Sequence, residues 1–116
     1  MDTWAAWSQA GLEYDSTLGF ADRAGFRCGT CREYPVFDLR ASKTLPLVER
    51  PLIAMDVSLL SSQYMGLSAN ECLDQVAELA KVCRYFAGNF TLLWHNTSLV
   101  SRSERVFYET LLTLAV

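Results

Sequence analysis

The chain has one histidine, three prolines and no run rich in lysine or arginine. Each scarcity excludes something. With one histidine, a metal site built on two imidazoles cannot come from these residues alone. The ten Lys and Arg residues are scattered, and Asp and Glu outnumber them at 13, giving a net charge of −3. A nucleic-acid binder carries a basic face, so no nucleic-acid partner is expected. No apolar run approaches the roughly 20 residues that span a bilayer, so no membrane helix is expected. The opening Met1-Asp-Thr-Trp4 has neither the basic start nor the apolar core of a secretory leader. The expectation is therefore a cytoplasmic protein, in which the Asn-x-Ser/Thr matches at Asn89 and Asn96 carry no glycan. Internal repeats and low-complexity segments are also lacking.

What is present fits one folded domain over residues 1–116. The hydrophobic share is 51% and the charged share 20%, ordinary for a globular chain and far from a disordered one. Cys28, Cys31, Cys72 and Cys83 would make two disulfides in an oxidising compartment and stay thiols in a reducing one.

The pattern along the chain predicts a short helix over 2–10, capped by Asp2 or Thr3 and stopped by Gly11. Trp4 and Trp7 share a face of it. A strand is expected over 12–18, then an irregular stretch with glycines at 19, 25 and 29. Apolar runs at 34–40 and 45–48 flank a polar turn, and 51–56 reads as a continuous buried strand ending at Asp56. Ser68 and Glu71 form a capping box that opens a helix over 68–87, with Gly88 as its stop. Residues 89–95 read as a strand ending at His95. Ser101 and Glu104 repeat the capping box before a second amphipathic helix through Phe107, Leu111 and Leu114. Strand, helix and strand over 51–95 make one right-handed βαβ crossover, the rhythm of an α/β protein.

Two places carry candidate chemistry. His95 and Asp56 each end an apolar strand, and a carboxylate beside a histidine orients its ring and raises its affinity for a proton. Either could equally be a strand-end group satisfied by a neighbour. Cys28-Gly-Thr-Cys31 has the spacing of a redox pair or half a zinc site. Against that, Arg32-Glu-Tyr-Pro35 does not continue as a helix, and Cys72 and Cys83 fall on the apolar stripe of the long helix. Asp15 reads as a cap or turn acceptor within Asp-Ser-Thr.

The block Tyr14-Asp-Ser-Thr-Leu-Gly-Phe-Ala-Asp-Arg-Ala-Gly-Phe-Arg-Cys-Gly-Thr-Cys31, continued by Tyr34-Pro-Val-Phe-Asp-Leu39, resembles one branch of the polysaccharide deacetylases. These carbohydrate esterases are related to chitooligosaccharide deacetylase. Pro51-Leu-Ile-Ala-Met-Asp56 and Phe90-Thr-Leu-Leu-Trp-His-Asn96 follow in the family's order, and the resemblance spans about residue 4 to the end. It implies a partial (β/α) barrel of the polysaccharide deacetylase type, the C-terminal half only. It also implies hydrolysis of acetylated carbohydrate, with a divalent metal, often zinc, in the full-length family. By the same resemblance Arg27 holds the catalytic carboxylate, Asp56 tunes the histidine and His95 is the general acid. Leu93 lines the acetyl pocket, and Trp94 stands beside it as a second substrate-binding residue.

The pattern departs from the family in three places. Cys28-Gly29 replaces a Pro-aromatic pair, Val57-Ser-Leu59 stands where a tryptophan follows the aspartate, and the half with the Asp-Asp and His-x-x-x-His motifs is missing. The expectation is a chain without its own metal site, inactive in isolation. Its partner would be the missing N-terminal half or a second copy in a homodimer. The alternative is a non-catalytic carbohydrate-binding or self-association module. In either case the edges left open by a half-barrel, with Trp4, Trp7 and the early strand, are candidates for exposed surface.

Overall fold

Between Tyr34 and Glu49 the chain doubles back because Asp38 supplies a turn. Its Oδ1 accepts from the amides of Arg40 (2.9 Å) and Ala41 (3.1 Å), as an aspartate does when it mimics a backbone turn. The flanking strands pair antiparallel as β2 (Tyr34–Asp38) and β3 (Lys43–Glu49) in the computed structural model, which describes residues 2–116. Pro46 is tolerated inside β3 because the β2 register shifts between Pro35 and Phe37, a bulge facing the residue that cannot donate. On the far side of β3 the two-residue β1 (Tyr14–Asp15) pairs in parallel, giving a three-stranded sheet of order β1-β3-β2.

β3 alternates strictly on its inner face, so Leu45, Leu47 and Glu49 all turn inward. Leu45 and Leu47 join Val36 in a small core covered by Trp4 and Trp7 of α1 (Asp2–Gln9). The tryptophans expected on an exposed surface are therefore half-buried against this sheet. Their indole N–H groups reach two carboxylates. Trp4 Nε1 donates to Asp15 Oδ2 (3.0 Å) and Glu49 Oε2 (3.2 Å), and Trp7 Nε1 donates to Asp15 Oδ1 (2.8 Å). Thr3, one of the two expected caps, lies inside α1, and the side chain of Asp2, the other, is not among those the structure describes.

After Pro51 the chain enters a second, two-stranded sheet. β4 (Leu52–Met55) pairs in parallel with β5 (Thr91–Leu93), and the connection runs through α2 (Asp56–Leu60) and α3 (Ala69–Tyr85). The chain is thus mixed α/β with two small sheets. Asp56 does not end the strand but opens α2 directly, with Met55 in extended conformation as its N-cap. Both expected capping boxes are formed, at Ser68 with Glu71 and at Ser101 with Glu104, the second opening α4 (Arg102–Ala115). Each supplies partners for amides that the first helical turn leaves open. Arg84 of α3 reaches the other end of α4, donating to the carbonyls of Val116 (3.1 Å) and Leu114 (3.4 Å).

Two further cores result. Ala54, Leu59, Cys72, Val76 and Leu111 pack where α2, α3 and α4 meet β4. Ile53, Leu79, Cys83 and Cys31 pack further along the same apolar face of α3, toward its C-terminal end. Among the described residues no helix is long and apolar enough to cross a membrane.

Gly88 follows α3, and its amide closes the helix on the Cys83 carbonyl (2.8 Å). A Cβ there would lie 2.3 Å from Cys31 Sγ and 2.9 Å from the Cys31 carbonyl oxygen. Gly88→Ala is expected to cost about 1–3 kcal/mol through overpacking, measured by urea unfolding. Cys31→Ala in the same chain should recover only part of the loss, because the backbone contact remains.

Candidate functional site

β4 and β5 run in parallel, so their C-terminal ends lie side by side and bring residues 39 apart in sequence into contact. Asp56 leaves β4 at the point where His95 leaves β5. The two meet at 2.6 Å between Asp56 Oδ1 and His95 Nδ1. The His95 amide donates to Asp56 Oδ2 (3.2 Å), and Ser98 Oγ donates to the same oxygen at 2.5 Å. Ser98 is delivered by a single 3₁₀ turn, Asn96–Ser98, which starts at His95.

Asp56 is completely buried, while the His95 side chain is 44% exposed. Burial alone would push the Asp56 carboxyl up. Hydrogen bonds from Ser98, the His95 ring, and the His95 and Val57 amides outweigh it and hold the group below its ordinary 3.8. An ionised carboxylate can only accept, so His95 Nδ1 carries the hydrogen and Nε2 lies on the outer edge of the ring. That is the arrangement of an acid–base histidine held in one tautomer by a carboxylate.

Beside this pair lies an open groove of about 620 Å³, lined by Arg27, Leu93, Met55, Leu52 and Phe20 among others. Met55 and Leu93 are register partners across the two strands, one residue before Asp56 and two before His95. The groove and the pair therefore share the same strand ends.

Of the expected site residues, His95 and Asp56 meet directly and Leu93 lies in the adjoining groove. Arg27 also lines the groove, but its guanidinium donates to the Gly19 carbonyl (2.8 Å) and not to a carboxylate. Trp94 occupies the opposite side of β5 from Leu93. It packs on Phe107 and Tyr108 of α4 at centroid distances of 6.0 and 5.3 Å, and its Nε1 donates to the Ser98 carbonyl (3.4 Å). Its contacts are thus with the second core and with the backbone of the turn that presents Ser98. Ser98 itself was missed by the sequence reading. Its signal was the Asn-Thr-Ser run following His95, read there only as a glycosylation pattern.

The cysteines of Cys28-Gly-Thr-Cys31 diverge. Cys28 Sγ approaches the Leu18 carbonyl (3.9 Å), while Cys31 is buried with Cys83. All four cysteines are free thiols. Burial, then the neighbouring Cys31, pushes the Cys83 thiol up to about 12, and burial pushes Cys72 up to about 11. Thiols so shifted are poor nucleophiles at neutral pH.

Among the described residues no three His, Cys, Asp or Glu side chains converge to hold a metal. Both oxygens of Asp56 and the Nδ1 of His95 are already engaged with each other and with Ser98. These residues do not fit the zinc that the resemblance implies. No protein-family model, curated protein sequence or solved structure matches the chain.

Asp56→Asn leaves its four donors facing a neutral amide and is expected to cost about 2–3 kcal/mol at pH 7, read from denaturant melts. Because the folded carboxyl is depressed, its contribution is present above 3.8 and lost as pH falls through the lower folded value. The difference between the two proteins should therefore shrink in melts below that pH. A difference that grows in acid would contradict an ionised Asp56.

Proposed function

We propose that the chain is the C-terminal portion of a polysaccharide deacetylase-like hydrolase acting on acetylated carbohydrate, a partial (β/α) barrel inactive without a metal-bearing partner segment. The observation that carries this reading is the Asp56–His95 pairing at 2.6 Å, next to the groove lined by Leu93 and Arg27. In this reading an acetylated amino sugar lies along the groove with its acetyl methyl against Leu93. The His95 Nε2 proton passes to the departing amine as the C–N bond breaks, and the acetyl carbon leaves with a water oxygen as acetate. Asp56 is the positioning residue that stabilises the imidazolium. In the complete protein a bound metal would supply the activated water; among the described residues no set of side chains converges to hold it.

A second reading, a self-association or non-catalytic sugar-binding module, is favoured by the two-stranded sheet. There β5 has β4 as its one neighbour, and two strands alone are marginal.

The test is to titrate the ¹⁵N-labelled chain with N-acetylchitopentaose and to assay acetate release with and without zinc. The expected result is shifts in the amides of Phe20, Met55 and Leu93, with no acetate above background. An absence of shifts at millimolar sugar removes the carbohydrate part of the proposal. Sustained acetate release by the chain alone removes the claim that it is inactive in isolation.

A further inference from the structure

From Thr3 to Gln9, α1 carries no charged side chain, yet it is held to two buried acids. A single Trp4 N–H bridges Asp15 Oδ2 and Glu49 Oε2, which places the two carboxyl groups against each other. Asp15 is 4% exposed and Glu49 0%. Their other donors are Trp7 Nε1 (2.8 Å) and Thr17 Oγ1 (2.6 Å) to Asp15, and the Leu18 amide (3.3 Å) to Glu49. Every one of these donors is neutral.

The titratable groups that face the pair from β2 and the preceding loop bring no positive charge. Tyr34 of β2 is pushed up by burial, by its contact with Cys28 and by the negative charge of Glu49 and Asp15. Arg50, directly after β3, turns away from the pair. Its Nε lies 2.7 Å from Glu33 Oε1 and its guanidinium 3.9 Å over the Tyr14 ring. Two full charges at such a place are unfavourable, and carboxyl groups in contact resolve this by sharing a proton.

We propose that Asp15 and Glu49 share one proton and that this proton latches α1 to the three-stranded sheet, so that its loss releases the helix and bares Val36, Leu45 and Leu47. The proton sits on Glu49. Burial first, and then contact with Asp15, raises that carboxyl to about 7 against the opposing pull of the Trp4 and Leu18 N–H donors. For Asp15, burial pushes upward, but hydrogen bonds from Thr17, Trp7, Glu49 and Trp4 prevail and hold it below 3.8. An unfolded Glu49 titrates near 4.5, so between that value and about 7 the folded chain binds the extra proton. The latch is complete below 4.5 and is lost as pH rises through 7. α1 is the element that responds, because it packs on β3 and β2 and carries both indole donors to the pair.

Amide hydrogen exchange on the full chain at acidic and alkaline pH, corrected for the intrinsic rate, reads the latch directly. Protection at Trp7 to Ala10 should fall about tenfold from below to above the Glu49 midpoint, while protection in the middle of α3 stays level. Glu49→Gln should flatten the α1 response. Equal α1 protection at both pH values overturns the proposal, as does an unchanged fall in Glu49→Gln. Should that variant not fold, the Glu49 side-chain carbon is followed by NMR in the unaltered protein. A midpoint near 7 supports the shared proton, and one near 4.5 refutes it.

Discussion

A buried carboxylate without a cation must be wrapped in donors, and Asp56 obtains all of its long-range donors from one short stretch, His95 to Ser98. That requirement organises the C-terminal half of the molecule, from Leu52 onward. For the donors to reach Asp56, β5 must lie parallel to β4 in the observed register, and α3 must cross over to return the chain to the same end. The 3₁₀ turn after His95 is then the means of bringing a hydroxyl back to the carboxylate. An orphaned charge here would cost several kcal/mol, comparable to the stability of a small domain. The same wrapping that keeps Asp56 ionised fixes the ring of His95, so one set of bonds serves the crossover and the site together.

The second acidic pair is solved differently. Asp15 and Glu49 have four neutral donors between them, two of which are indoles on a helix. Asp56 keeps its charge by hydrogen bonds that include a histidine, whereas Glu49 yields to burial and to its neighbour. The contrast follows from the donors available and not from depth, since both groups are wholly buried.

The helices were legible in the sequence where the physics is local. Both capping boxes lie within four residues of chain, and the apolar stripe of α3 repeats at the helical period, so start, face and stop could be read directly. Asp56 and His95 were legible as strand-end groups, and parallel pairing supplied their contact. Other features depend on partners distant in sequence. Trp94 was read as facing substrate, but strand alternation turns it toward Phe107 and Tyr108, which lie a helix away. Glu49 was not singled out at all, although its place two residues after Leu47 and four after Leu45 put it on the inward face of β3. The strand expected over 12–18 shrinks to Tyr14–Asp15, because Thr17 and Leu18 turn to serve the acids instead of pairing with β3.

The apolar interior is divided into three clusters, and the one under α1 shares no buried residue with the two around α3. The Cα radius of gyration, 15.5 Å over extents of 47 × 31 × 23 Å, exceeds the roughly 13 Å of a well-packed chain of this length. Separate cores do not make the two regions independent. The loop between β1 and β2 ties them together, its Gly25 amide donating to the Ile53 carbonyl (2.8 Å) and its Cys31 carbonyl accepting from the Asn89 amide (2.9 Å). A change that loosens that loop is therefore felt on both sides of it.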